Sequence, residues 1–147
     1  MTPDVHVLVA ALRPDHPHHQ PVSAWLESAV VAAATFSRVT LMLMVIASYL
    51  GLVTSEIIFA KPTNAKDAVG AMDKILAELG VAMATLGTEW AQLRGLCVDK
   101  NLSGNDLPDV WLAAATLHIG EHLVPFDRNF KKLLPRNHVT VLVAPHN

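Results

Sequence analysis

Cysteine is nearly absent: Cys97 is the only one in 147 residues. That excludes an internal disulfide, and the expected location is a reducing cytoplasm. Charge is also scarce, at 16% of residues with a net of −2, so no global field favours nucleic acid. Any RNA contact must rest on a local patch. A Gly-rich phosphate loop is missing, which argues against a phosphate-binding fold of that kind, and so is a basic-then-apolar leader. The most apolar stretch, VTLMLMVIASYLGLV at residues 39–53, is interrupted by Thr40, Ser48, Tyr49 and Gly51. It falls short of the ~20 residues that span a bilayer, so a buried helix is expected and no membrane association. Apolar side chains, by contrast, are plentiful at 52%, and the length fits a single domain over residues 1–147. Cys97 itself reads as a small buried thiol.

Valine-rich runs alternate with helix-like segments along the chain. DVHVLVAAL, residues 4–12, alternates Val5, Val7 and Val9 and predicts a first strand. Pro14, Pro17 and Pro21 mark a loop. Residues 23–34 predict a helix with Trp25, Leu26 and Val30 on its apolar face. A short strand is expected around Thr35 and Phe36, leading into an apolar helix over 40–53. Thr63 or Asn64 can cap the next helix, whose stripe is Ala68, Met72, Ile75 and Leu79 and which Gly80 ends. A strand at 81–86, a short helix at 88–96 and a turn at 103–108 follow. A helix from Pro108 to Gly120, a brief strand at 122–127 and a last strand at 138–144, with Val139, Val141 and Val143 alternating, complete the series. This alternation argues for an α/β domain on a parallel sheet.

In open parallel sheets, sites form beyond the carboxyl ends of the strands. Three acids stand at such junctions. Asp4 lies within or just before the first strand, and Asp127 directly follows HLVPF. Asp109 falls in the first turn of its helix, where backbone N–H groups favour an ionised carboxylate. Asp106 precedes it across a proline that disfavours helix at Leu107, and alone reads as a cap or turn residue. Carboxylates that converge without basic partners repel one another. Hard divalent cations, Mg²⁺ or Mn²⁺, offset that repulsion. Such cations activate water and stabilise charge at a phosphate, which suits phosphodiester hydrolysis. Asp4 and Asp127 taken singly are ordinary loop acids; the combination carries the reading.

DVHVLVAALRPDHPHH with Trp25 downstream, GLVTSEIIFAKP, NDLPDVWLAAATLHIGEHLVPFDRNF and the closing valine run together resemble the PIN domain of VapC-type toxins. The order and spacing match over nearly the whole chain. The most specific piece is an Asp opening an Ala-Ala helix, then Gly, a short apolar strand and Asp-Arg-x-Phe. The resemblance implies a three-layer α/β/α fold around a central, mainly parallel sheet of four to five short strands. It also implies a Mg²⁺- or Mn²⁺-dependent endoribonuclease, the toxin of a type II toxin–antitoxin pair, held by a cognate antitoxin and commonly a homodimer. Asp4, Asp109 and Asp127 match the family's catalytic, metal-binding acids, and Asp106 matches an acidic position of some members.

Several positions depart from that pattern. The family usually has a further acid on its second long helix; Ser48 stands near that place, and Glu56 lies past the helix. His6 replaces the usual Asn, Pro125 and Phe126 approach Asp127 where a Thr is common, and Asn129 follows in place of an Asp. Weaker metal affinity is the expected consequence. The alternative reading is a PIN-like module with weakened catalysis that acts through antitoxin or RNA binding. Ser48 could orient a water or bond its own backbone. His6 could meet substrate or sit beside the core. Arg128, Lys131, Lys132 and Arg136, with His138, form a local basic patch, and Arg13 is the other basic residue expected near the acids. The helix over 41–53, with Met42, Met44 and Tyr49, has more apolar surface than one core face needs, and the resemblance gives the excess to an antitoxin or a second protomer.

RPDHPHHQP, residues 13–21, holds three of the eight histidines. Imidazole is the commonest side-chain ligand of zinc, yet no second pair at ligand spacing supports this group, and HIGEH at 118–122 is broken by Gly120. The stretch reads as the turn that leads into the Trp25 helix.

Overall fold

The computed structural model describes residues 1–100 and 104–143, and it begins differently from the valine pattern. Strand β1 is only Thr2–Pro3, and Val5–Leu12 is a helix, α1. Asp4 switches the chain from one to the other. Its side chain accepts the Val5 N–H at 2.6 Å, and its carbonyl accepts the Leu8 N–H at 3.1 Å. Val7, Leu8, Val9, Ala10 and Ala11 are all buried, so nearly every face of α1 packs on protein. A helix buried all round carries no polar period, and its β-branched valines then mimic a strand.

Helix α2 is His19–Ala33, starting earlier than expected because Pro21 sits in its first turn, where a missing N–H costs nothing. Ala34 to Phe36 is a turn, not a strand, and Phe36 is 84% exposed. Strand β2 lies further on, at Val39–Leu41, and α3 is Leu43–Val53. No helix among the described residues is long and apolar enough to cross a membrane. Helix α4, Ala65–Leu76, is capped by Asn64, whose side chain accepts the Asp67 N–H. It ends before Gly80 and leaves Leu79 in solvent. Then come β3 (Val81–Met83), α5 (Trp90–Asp99), a 3-10 turn at Gly104–Asp106, α6 (Leu107–His118), β4 (Leu123–Val124) and α7 (Phe130–Leu133).

Hydrogen bonds order the strands as β3-β2-β1-β4. β2 pairs with β3 in parallel, with Val39 opposite Val81, and β1 with β4 in parallel, with Thr2 opposite Leu123. The Thr40 N–H donates to the Met1 carbonyl and joins the two pairs. Val139 bridges Leu123 in parallel, and Leu142 N–H donates to Pro125, which adds a fifth extended segment. The last expected strand is thus present in part, and Ala144 lies outside the described residues. After β1 the chain crosses to β2 on one side, while β4 lies on the other. Asp4 therefore stands at the point where strand order reverses, the usual place for a site in such sheets.

The opposite end of the sheet is held by Glu121, which is buried. It pairs with the Met1 amino group at 2.9 Å and with Arg38 at 2.5 Å, and accepts the Thr40 hydroxyl at 2.8 Å. Burial pushes this carboxyl up, but the amino group, Thr40 and Arg38 outweigh it and hold the carboxyl below its ordinary value. Its contribution to stability is therefore full above the unfolded carboxylate value, about 4.3, and lost as pH falls through the lower folded one. Glu121→Gln is expected to be less stable than the native chain at neutral pH, the gap narrowing below about pH 4 in urea melts. A constant gap across that range would rule out the ionic role.

Candidate active site

The residues predicted from sequence meet at the carboxyl ends of β1 and β4. Asp4 is only 5% exposed, while Asp106, Asp109 and Asp127 are open to solvent. Burial raises the Asp4 carboxyl, and the carboxylates of Asp109 and Asp127 raise it further against the Val5 N–H and His6. Burial likewise raises Asp109, with Asp127 and Asp106 adding to it. Like charges act this way only at short range. Asp4, Asp109 and Asp127 therefore share one electrostatic neighbourhood, which Asp106 joins through Asp109.

Local structure explains each placement. Asp109 lies in the first turn of α6, behind Pro108, whose fixed φ suits a helix start. Asp106 occupies the N-cap position, but its side chain makes no capping hydrogen bond. Asp127 Oδ1 accepts the Asn129 N–H at 2.7 Å, a local turn that fixes its backbone just past β4. Among the described residues, no three His, Cys, Asp or Glu side chains stand close enough to grip one ion together.

A cleft of about 930 Å³ opens beside the acids, between α3, the 86–89 segment, α5 and the start of α6. Asp4, Asp109 and Ser48 line it together with Met44 and Glu89. Ser48 thus shares the cleft with Asp4 and Asp109, whereas Glu56 lies exposed in the turn after α3. No motif marks Glu89. It is a buried carboxylate that accepts the Trp111 indole N–H and the Gly87 N–H, each at 2.7 Å. Those bonds, Trp111's first, outweigh burial and hold it below the ordinary carboxylate value. Trp111 was findable: it stands two residues after Asp109, at the same end of α6.

Arg13 does not serve the acids. Its guanidinium is buried, bonded to Asp15 at 2.9 and 2.5 Å, to the Thr63 hydroxyl and to the Lys61 carbonyl, and lies 3.9 Å over the Phe59 ring. It clamps the α1–α2 loop to the segment before α4. Arg13→Ala is expected to cost about 2 kcal/mol in denaturant melts, from lost hydrogen bonds and the cation–π contact.

His6 is exposed and near enough to favour the charged forms of Asp4 and Asp109. His16 and His18 lie 5.7 Å apart, ring to ring, and His18 meets the edge of Phe126 at 6.3 Å. His19 bonds the Ala10 carbonyl. Of the three, His18 thus packs beside Phe126, the residue before Asp127. In the basic patch, Arg128, Lys131, Lys132 and Arg136 are exposed, but His138 is tied to the Glu121 carbonyl. Cys97 is half-buried on α5, less enclosed than expected.

No family model matches the chain. It is 32% identical to ribonuclease VapC31 of Mycobacterium tuberculosis over 139 residues, which covers 92% of this chain and 94% of that protein. The chain belongs to the VapC ribonuclease family. Ribonuclease VapC25 of the same organism is also 32% identical, over 137 residues and the same shares of each chain. The VapC fold is equally plain in solved structures. VapBC2 from Rickettsia felis, bound to a DNA fragment from their promoter, superposes with a TM-score of 0.62 at 18% identity, covering 95% of this chain and 96% of that one. FitAcB from Neisseria gonorrhoeae gives 0.53 at 19% identity and 86% of both chains. The three-layer PIN arrangement implied by the sequence resemblance is thus the fold of this VapC chain.

Proposed function

We propose that this VapC chain is the toxin of a toxin–antitoxin pair, an endoribonuclease that hydrolyses RNA phosphodiester bonds with Asp4, Asp109 and Asp127 as its catalytic acids. The observation that carries the reading is the mutual repulsion of these three acids at the strand-order reversal of a VapC fold, with exposed His6 nearby and no salt bridge to any of them among the described residues. An all-oxygen donor set with uncompensated negative charge fits a hard divalent cation, Mg²⁺ or Mn²⁺. Since no three of these side chains converge tightly, one or two carboxylates plus water would hold the ion, which suits the hydration that Mg²⁺ retains. When bound, such a cation supplies charge stabilisation at the scissile phosphate and a more acidic water.

The chain's own groups do the positioning. The Val5 N–H holds Asp4 Oδ1 and so fixes the carboxylate that would help hold a cation. Asp109 enters from the first turn of α6 and Asp127 from the turn after β4. The raised carboxyls of Asp4 and Asp109 bind protons in competition with the cation, so the metal requirement is expected to rise as pH falls. The partner is a cognate antitoxin, and a second copy of the chain is the other; exposed Ile57 and Ile58, after α3, offer apolar surface to them.

One observation favours the second reading, a catalytically weakened module. The α3 wall of the cleft offers Met44 and Ser48 and no acid. A Mn²⁺ titration separates the two: saturable binding lost in Asp4→Asn supports the enzyme, and no binding supports the module. The basic side chains after Asp127 are assigned to RNA phosphates. Replacing Lys131 and Lys132 with Ala is expected to lower the slope of log affinity against log salt by about 1 to 2. An unchanged slope would return them to solvent.

A further inference from the structure

Trp111 is 42% exposed in the wall of the cleft that holds Asp4 and Asp109. Its indole N–H, the ring's one polar group, is bonded to Glu89. Glu89 is 6% exposed and anchored in turn by the Gly87 N–H. The ring is therefore held in place while part of its surface stays free. One turn earlier, Leu107 lies on the same side of α6, and Leu43 and Ala47, also one turn apart, line the cleft from α3. These side chains form two apolar walls next to the acids.

Among the described residues that line the cleft, the charged ones are Asp4, Glu89 and Asp109, all acidic. RNA phosphates find no cationic side chain there. Beyond what a divalent cation on the acids would supply, affinity close to them must then come from the bases. Base stacking needs only an aromatic face, which a ring with its N–H already bonded still offers.

We propose that Trp111 is the platform on which an unpaired base beside the scissile phosphate stacks, with Glu89 as the positioning residue that holds the ring. This rests on the ribonuclease reading above. A base within a duplex is already stacked and paired, so the platform favours single-stranded RNA.

Trp25→Phe and Trp90→Phe leave Trp111 as the sole tryptophan, and Asp109→Asn keeps the RNA intact during titration. With Mg²⁺ present, a single-stranded RNA oligonucleotide is expected to quench Trp111 emission to saturation, and the same sequence annealed into a duplex to need roughly tenfold more. In the otherwise native chain, Trp111→Leu is expected to raise KM for that RNA roughly tenfold or more with kcat within about threefold, and Trp111→Phe to lose less. Glu89→Ala should raise KM similarly, and Glu89→Gln, which keeps an acceptor, should restore it. Cleavage by the native chain of an RNA that leaves Trp111 emission unchanged overturns the stacking alone. Quenching by the cognate antitoxin but not by RNA does the same and assigns the ring to the protein partner. Absence of both cleavage and quenching overturns the ribonuclease reading with it.

Discussion

Asp109→Asn is expected to reduce divalent-dependent RNA cleavage by at least about a hundredfold and to end growth arrest on expression. On the proposed assignment, removing one charged ligand would forfeit several kcal/mol of stabilisation at the reacting phosphate, and each 1.36 kcal/mol is about tenfold in rate. The same change is not expected to harm the fold, because Asp109 is exposed and repelled by its neighbours. Asp4→Asn sharpens the contrast. Asn caps a helix about as well as Asp, so the Val5 N–H keeps its acceptor while the buried charge disappears. A carboxyl whose folded value is raised is protonated more readily in the native state. Metal-free stability therefore declines as pH rises from the unfolded carboxylate value through the folded one. In chelator at neutral pH, Asp4→Asn should melt at or above the native temperature. Added Mn²⁺ should raise the native Tm and leave the variant's unchanged. Full cleavage by Asp109→Asn sinks the assignment.

Gly80→Ala is expected to give the largest loss of stability, about 2 to 4 kcal/mol. Gly80 has φ +80°, and a Cβ there would stand 2.0 Å from the Ala33 carbonyl oxygen at the end of α2. Backbone occupies the space, so no side chain can rotate away. Its own carbonyl also accepts the Val39 N–H and so ties β2 to the start of β3. Relieving the clash would pull on that edge of the sheet. Gly70 in α4 and Gly95 in α5 serve as controls, since a Cβ at either meets nothing within 4 Å. Ala there should stabilise by about 0.5–1 kcal/mol. Equal denaturant midpoints for Gly80→Ala and these controls would contradict the close approach.

Gly80 also shows where sequence reading stops. Its role as a helix terminator follows from spacing, but α4 ends at Leu76, and the real constraint comes from Ala33, far along the chain. The acids were legible for the opposite reason. Asp4 and Asp127 each end a short apolar strand segment, Asp109 opens a helix, and a parallel sheet gathers strand ends and helix starts at one end. β3 and β4 lie within the strands expected at 81–86 and 122–127, whereas β1 and β2 escaped, because two or three residues are too few for a period of two to register. β1 is the extreme: Thr2–Pro3 carries no alternation, while the valines of α1 do. Glu89 and Trp111 meet across 22 positions, and Arg13 reaches Thr63 across 50, so no local pattern marks either.

The acidic lining of the cleft bears on how the enzyme turns over. A diester linkage carries one negative charge, whereas a severed strand ends in a phosphate of about −1.5 to −2 at neutral pH. Beside Asp4, Glu89 and Asp109 the side chains repel that added charge, and only a divalent cation held by the acids would attract it. Release of the severed strand is therefore expected to quicken when the cation is withdrawn, so that one ion governs both the cut and the departure of its product.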